Sequence, residues 1–380
     1  MNKSPIIDVD GHILEPSDLW MNNIEPEYRD QAMHMGVGED GEEQWFFEGR
    51  PDVFVSRGTG ANMASIGKSA EWRQKNLFEN PSVTWEEGRA MNPGACDPDA
   101  RVRLMDKEHI DKSILYPSLG LGWVGATKDP ILAAAYCRVY NDWLVDFCHA
   151  HPDRLYPAIA LPWTDVNEAV KELKRTAGVG PRAVMCPASP PHDRSYGSRH
   201  WDPLWEEFQE QDVPPSLHVG AGGTASGSLL HPEITLPSWW VLSTSQDIQL
   251  SFMSFFQGGV FDRFPAFRLV VLESGTLWMP YILDRMDEKF EILGFTMESK
   301  EKPSEYFKTR GWIAMEPEDE FGALTANLLG ADRLLWAYDY PHSDSWTGPV
   351  KTLRKSLSTL PEQDQRKVMG ENALDLYRLN

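Results

Sequence analysis

The chain has 380 residues, with 36 Lys and Arg set against 57 Asp and Glu, for a formal net charge of −21. That acidic excess repels nucleic acid and anionic membrane surfaces at long range and argues against both as partners. A hydrophobic content of 41% without a membrane-length apolar run, and four cysteines (Cys96, Cys137, Cys148, Cys186) without CxxC spacing, predict a soluble cytoplasmic protein rather than a disulfide scaffold or zinc ribbon.

The first predicted element is a strand, Ile6-Ile7-Asp8-Val9-Asp10-Gly11-His12. Period two places Asp8 and Asp10 on one side, and Gly11 gives the backbone freedom to bring His12 round at the strand end. An acid and an imidazole two positions apart can face one point, which is what a divalent metal asks for. On its own the pattern fits a solvated edge strand equally well. A loop over 14–20 leads into a short helix. From 25 to 98 no regular alternation of strand and helix is visible. A turn occupies 38–43, Trp45-Phe46-Phe47 suggest a small hairpin, and a looser Gly/Ser/Ala stretch covers 58–70. This reads as an insertion after the first strand, a lid or cap over an active site.

From residue 99 the rhythm is regular. Helices are predicted over 99–108, 130–149, 166–177, 201–210, 248–262, 278–293, 321–329, 350–358 and 363–377. Between them lie the apolar strands 112–117, 156–162, 182–187, 215–219, 267–272, 311–316 and 333–338. Eight β-then-α units with continuous apolar strands imply an α/β protein built on a parallel sheet. The expectation is one domain over 1–380, a (β/α)₈ barrel with 25–98 inserted, and a doubly wound sheet is the alternative. No Gly-rich phosphate loop follows the first strand.

Ionisable residues tip strand after strand: Asp10 and His12, His218, Glu273, Glu316, then Asp339 with His342 close behind. Individually His218 reads as a core histidine and Asp339 as a turn cap. Together on the C-terminal rim of a barrel they favour a metal site, because buried charge is costly unless paired or metal-bound. Of the fifteen tryptophans most are expected in the core. Trp163, Trp239, Trp240 and the Trp45–Phe47 cluster are candidates for an aromatic or apolar substrate pocket.

The pieces Ile7-Asp8-Val9-Asp10-Gly11-His12-Ile13-Leu14-Glu15-Pro16, Leu217-His218-Val219-Gly220, Gly259-Val260-Phe261-Asp262-Arg263-Phe264-Pro265, Leu272-Glu273-Ser274-Gly275, Leu335-Trp336-Ala337-Tyr338-Asp339-Tyr340-Pro341-His342 and Gly370-Glu371-Asn372-Ala373 occur in order along the chain. In these pieces the sequence resembles the amidohydrolase-related group of the metal-dependent amidohydrolase superfamily, which includes aminocarboxymuconate-semialdehyde decarboxylase and resorcylate-type enzymes. The resemblance implies a metal held by Asp10, His12, His218 and Asp339, with Asp339 also taking and giving a proton. It further implies a homo-oligomer, a dimer; apart from the resemblance, the non-enzymatic alternative is a degenerate partner subunit that needs a second chain for activity. Two departures stand out: the first ligand is an acid where many members have histidine, and Glu273 stands where many have a catalytic histidine.

Three chemistries follow as expectations. The leading one is a hydrolase, in which a metal-activated water attacks a small ester, lactone or amide, Asp339 is the general base and Glu273 orients water or leaving group. The second is non-oxidative decarboxylation of a small phenolic or enol acid, which the negative charge of Glu273 opposes. The third is an iron or manganese oxygenase, with Glu273, His231 and His342 serving a second metal or supporting the first. Zinc leads as the cofactor, with manganese or iron and a second ion as alternatives.

Overall fold

The computed structural model describes residues 4–39, 43–51, 65–79, 83–180, 182–191, 194–220, 237–343, 345 and 347–379. Strand β1 (Ile7–Ile13) is buried along its full length. Three short antiparallel strands follow, β2 (His34–Val37), β3 (Glu43–Phe47) and β4 (Arg50–Pro51), in the order β2-β3-β4. The hairpin expected at Trp45–Phe47 is therefore a three-stranded sheet; residues 40–42 of the expected turn and 58–64 of the looser stretch lie outside the described residues.

The regular part then delivers β5 (Lys112–Pro117), β6 (Leu155–Ile159), β7 (Ala183–Pro187), β8 (Pro215–His218), β9 (Leu269–Val271), β10 (Gly311–Met315) and β11 (Leu334–Trp336). With β1 they form one eight-stranded sheet in the order β1-β5-β6-β7-β8-β9-β10-β11, every ladder parallel. The two ends meet just beyond β11, where Asp339 N donates to Asp10 O (2.7 Å) and His12 N to Tyr340 O (2.8 Å). The fold is the (β/α)₈ barrel expected. Its strands read as unbroken apolar runs because helices cover the outside and packed side chains fill the inside.

The covering helices start where the sequence tells them to. Asp97, Asp129 and Asp165 each accept a backbone N–H from the first turn of helices Pro98–Glu108, Pro130–His149 and Val166–Thr176. Proline follows the cap in the first two, where its missing N–H costs nothing. Two helices differ from expectation: 363–377 is interrupted at Gly370, between Glu362–Arg366 and Asn372–Leu376, and in place of 248–262 the other runs Pro237–Gln257. Gly259, at φ 62°, then separates it from a short turn, Val260–Arg263. All four cysteines are free thiols, and no described helix is long and apolar enough to cross a membrane.

One correction concerns β1. Asp8 pairs with Ser113 but Gly11 pairs with Leu115, so the strand carries one extra residue between them. This bulge breaks the period-two parity that had placed Asp8 beside Asp10. Asp8 instead accepts from Ser113 Oγ (2.7 Å) and Tyr338 N (2.9 Å), 3.9 Å from Arg101 Nη2. The space a side chain at Gly11 would need is filled by Arg101, Ser113 and Asp8.

The elements between β1 and β5 rest on the C-terminal side of the barrel. Trp85 Nε1 donates to Glu15 O (2.8 Å) and Arg89 Nε to Leu14 O (3.2 Å), both just past the end of β1. Arg73 donates to the carbonyl of Ser343, in the loop after β11.

Candidate metal centre

Four strand ends meet at one rim. β1 brings Asp10 and His12, β8 brings His218, Glu273 lies two residues past β9, and Asp339 lies three residues past β11. Asp10, His12, His218 and Asp339 are all buried, and Glu273 is partly buried. Asp339 (φ 56°) and Glu273 (φ 45°) adopt left-handed backbone conformations that ordinary side chains avoid. Such strain persists only where surrounding bonds over-determine it, and it collects at functional sites. For Asp339 those bonds are its N–H to Asp10 O and its own carbonyl accepting from His342 N at 2.9 Å.

The hydrogen bonds behind the imidazoles determine which atoms face inward. His12 Nδ1 lies 3.0 Å from Pro117 O, and His218 Nδ1 lies 2.6 Å from Val219 O. A carbonyl oxygen only accepts, so each Nδ1 carries the hydrogen and each neutral ring presents a bare Nε2 to the centre. There His218 Nε2 is 3.2 Å and His12 Nε2 3.4 Å from Asp10 Oδ1, and His12 Nε2 is 3.3 Å from Asp339 Oδ1. The inward atoms are thus acceptors facing acceptors. Asp10 Oδ2 is also buried and makes no hydrogen bond among the described residues. A proton on one ring would satisfy one contact, whereas a divalent ion would satisfy them all. Donors bonded to one ion at about 2.1 Å sit roughly 3.0–3.4 Å from each other, the spacing found here. The group fits a divalent metal.

Electrostatics support the ligand-ready forms. Burial disfavours the Asp10 carboxylate, but positive charge on the side of the facing His218 and His12 rings outweighs it and holds its carboxyl well below the usual range; with the rings neutral, a metal ion would bring that charge. Burial depresses His12, despite Asp10 beside it, and burial with His12 and His218 nearby depresses His342 further. The metal-ligating forms are an anionic Asp and neutral rings.

His342 stands behind Asp339, with Nδ1 2.8 Å from Asp339 Oδ1 and Nε2 2.9 Å from Ser118 Oγ. The Ser118 contact is a hydrogen bond, whereas the Asp339 contact is an ion-pair distance without hydrogen-bond geometry. Glu273 Oε2 lies 3.6 Å from His218 Nδ1, on the nitrogen turned away from Asp10. Ligand atoms of Asp10, His12, His218 and Glu273 lie within 4.8 Å of one another, as do those of His12, Asp339 and His342. Glu316 follows β10 but joins neither group. His231 lies outside the described residues, as do the side chains of Trp239 and Trp240. Trp163 is wholly buried, its Nε1 donating to Met185 O at 3.0 Å among Tyr196, Trp201 and Trp205, and Trp45 packs edge-on against Trp85. Both are packing residues rather than pocket walls.

Three buried residues near the rim escaped the sequence reading. Ser118, wholly buried, is a neutral hydroxyl one residue past β5. Arg101 lies in a helix whose charges otherwise read as solvated; its Nη1 donates to His12 O at 2.8 Å. Glu15 accepts from Leu119 N (3.0 Å) and Gly120 N (3.4 Å), and burial pushes its carboxyl up to about 7. A list of strand ends that included hydroxyls would have found Ser118.

The gamma-resorcylate decarboxylase of Polaromonas sp. is 27% identical over 299 residues, covering 74% of this chain and 87% of that enzyme. An amidohydrolase from Mycobacterium avium subsp. paratuberculosis K-10 superposes with a TM-score of 0.81 at 24% identity, over 99% of this chain and all of the other. A dihydroxybenzoic acid decarboxylase from Polaromonas sp. JS666, with bound manganese and the inhibitor 2-nitroresorcinol, superposes with a TM-score of 0.67 at 23% identity, over 82% and 94% of the two chains. These relatives overturn the leading expectation of a hydrolase attacking an ester, lactone or amide, since the curated relatives break a carbon–carbon bond instead. The motifs that located the site specify metal ligands, and the same ligands serve either bond, so they never contained the distinction. The amidohydrolase family model matches residues 7–379, nearly the whole chain, and this protein is an enzyme of the amidohydrolase family.

Proposed function

We propose that the protein is a metal-dependent, non-oxidative decarboxylase acting on a small phenolic or enol carboxylic acid. The observation that carries this is the likeness to gamma-resorcylate decarboxylase across 87% of that enzyme's length. Asp10, His12, His218 and Asp339 are the residues that would hold the ion. Two carboxylates and two imidazoles accommodate manganese as readily as zinc, and manganese occupies the Polaromonas relative, so it is the ion to supply first. When bound, the ion would supply positive charge that attracts an anionic substrate and stabilises charge developing on its oxygens.

The remaining chemistry belongs to the side chains. The bond from the ring carbon to the carboxylate breaks, its electron pair stays on the carbon, and carbon dioxide leaves. The Asp339 carboxyl gives its proton to that carbon and regains one from water. Glu273, expected to oppose an anionic substrate, meets His218 on Nδ1, away from Asp10. In this reading its charge favours the hydrogen on Nδ1 that Val219 O accepts, while the bond to Val219 O orients the ring. His342 backs Asp339 at 2.8 Å. The segment 25–98 serves as a cap within a single 1–380 domain, a role supported by its bonds to Leu14, Glu15 and Ser343 around the rim.

The test is product analysis with manganese-loaded enzyme, a panel of ortho-hydroxylated aromatic acids and a matched panel of esters and lactones, in D₂O. The expected result is carbon dioxide together with a phenol deuterated at the carbon that lost it. Ester or lactone hydrolysis without release of carbon dioxide would refute the proposal.

A further inference from the structure

The opposite mouth of the barrel gathers polar groups of its own. The proposed metal ligands lie at or past strand ends, whereas here the residues precede the strands. Arg182 comes just before β7, and Gln211 and Asp212 come before β8. Tyr377 and Arg378 follow the last helix, Asn372–Leu376. Together they line a cavity of about 220 Å³. This end of a (β/α)₈ barrel serves stability rather than chemistry.

Three arginines share one lining carboxylate there. Asp212 Oδ1 accepts from Arg268 Nη2 at 2.5 Å, and its other oxygen pairs with Arg378. Arg268 also donates to Leu376 O at 2.8 Å. Arg182 has no such partner: half-buried, it forms no ion pair and no side-chain hydrogen bond among the described residues, and its Nε is enclosed. Enclosing a guanidinium is costly unless an anion meets it. Gln211 offers the opposite character. Its Nε2 donates to Glu207 Oε1 at 2.5 Å, because a carboxylate only accepts, and this leaves Oε1 buried without a donor. Glu207 is itself matched by Lys174 at 3.1 Å.

We propose that this cavity binds a small oxyanion that keeps a hydroxyl, of which hydrogen phosphate is the simplest. The planar fork of Arg182, with Arg378 also on the wall, would take the anionic oxygens. Gln211 Oε1 would accept the O–H of the anion, a group that sulfate lacks at neutral pH. The ion would tie together the start of β7, the end of the helix Asp202–Gln211 and the last turn of the chain. The proposal is independent of the reaction at the other end.

The experiment is isothermal titration calorimetry of the full-length, metal-loaded protein with inorganic phosphate and, separately, with sulfate, on wild type, Arg182→Met and Gln211→Met. Wild type should bind phosphate at least about tenfold more tightly than sulfate, and Arg182→Met should weaken phosphate by about tenfold or more. Gln211→Met should bring phosphate down to the level of sulfate. In urea unfolding without either anion, Arg182→Met should be no less stable than wild type, since it removes an unpaired charge. Added phosphate should then make wild type the more stable of the two. Phosphate bound equally by wild type and Arg182→Met is held elsewhere, the metal centre included, and overturns the proposal. Wild type with no phosphate Kd below about 1 mM, or with equal affinity for the two anions, overturns it as well.

Discussion

Strand β1 carries two buried acids two residues apart whose surroundings are opposite in kind. Asp8 sits among donors: Ser113 Oγ, Tyr338 N and Asp10 N, with Arg101 as a counter-cation that also reaches His12 O and lies over the Tyr340 ring. Asp10 sits among acceptors, facing the bare nitrogens of His12 and His218. In the first cluster the protein supplies its own cation; in the second it leaves acceptor atoms whose spacing fits a cation from outside. The Asp8 cluster ties the β1 backbone to the strand that leads to Asp339, so it holds in register the site above it.

The largest expected effect on the catalytic side comes from Asp339→Asn. It keeps the shape of the side chain but removes the proton carrier, so kcat should fall by about 10²-fold or more while the protein stays folded and retains part of its metal. Near-full activity with metal still bound would remove Asp339 from the acid–base role.

Next is the cluster that supplies its own cation. Arg101→Met strands a buried acid and leaves the His12 carbonyl without its donor, and should cost about 3–5 kcal/mol of stability in denaturant unfolding. Adding Asp8→Asn to it should recover part of that loss. If the single variant unfolds like wild type, the contrast between the two acids does not hold energetically.

A smaller effect, legible only against pH, belongs to Glu15. Burial raises its folded-state pKa from 4.5 to about 7. As pH rises through that interval the unfolded chain gives up this proton first, so stability present below about 4.5 is lost on the way to about 7 and stays lost above it. The contribution is about 3 kcal/mol. In Glu15→Gln the decline in unfolding free energy across this window should flatten, and an unchanged slope would assign the pH dependence elsewhere.

How much of this the sequence disclosed follows from what each residue type signals. Runs such as Lys112–Pro117 and Leu334–Trp336 announced buried parallel strands because both faces are covered, and apolar residues at helical spacing announced the helix Pro130–His149. Acids and histidines at strand ends announced the rim, since nothing else explains charge there. The bulge in β1 did not show, because one added residue leaves composition untouched while reversing which way Asp8 faces. Arg101 was hidden among ordinary helix charges, and Ser118 because a lone serine after a strand carries no signal until a histidine 224 residues away meets it. The reaction was least legible: ligands dictate a metal, and the bond to be broken is chosen by substrate contacts that no motif records.

The most direct measurement is metal content against catalysis. Wild-type protein should hold close to stoichiometric divalent metal by mass spectrometry, lose decarboxylation on chelation and regain it when manganese is returned. His12→Ala, with the coordination sphere opened, should hold little metal and show no recovery. Full carbon dioxide release from chelated, metal-free protein, or stoichiometric metal in His12→Ala, would contradict the account of Asp10, His12, His218 and Asp339 as the seat of an essential ion.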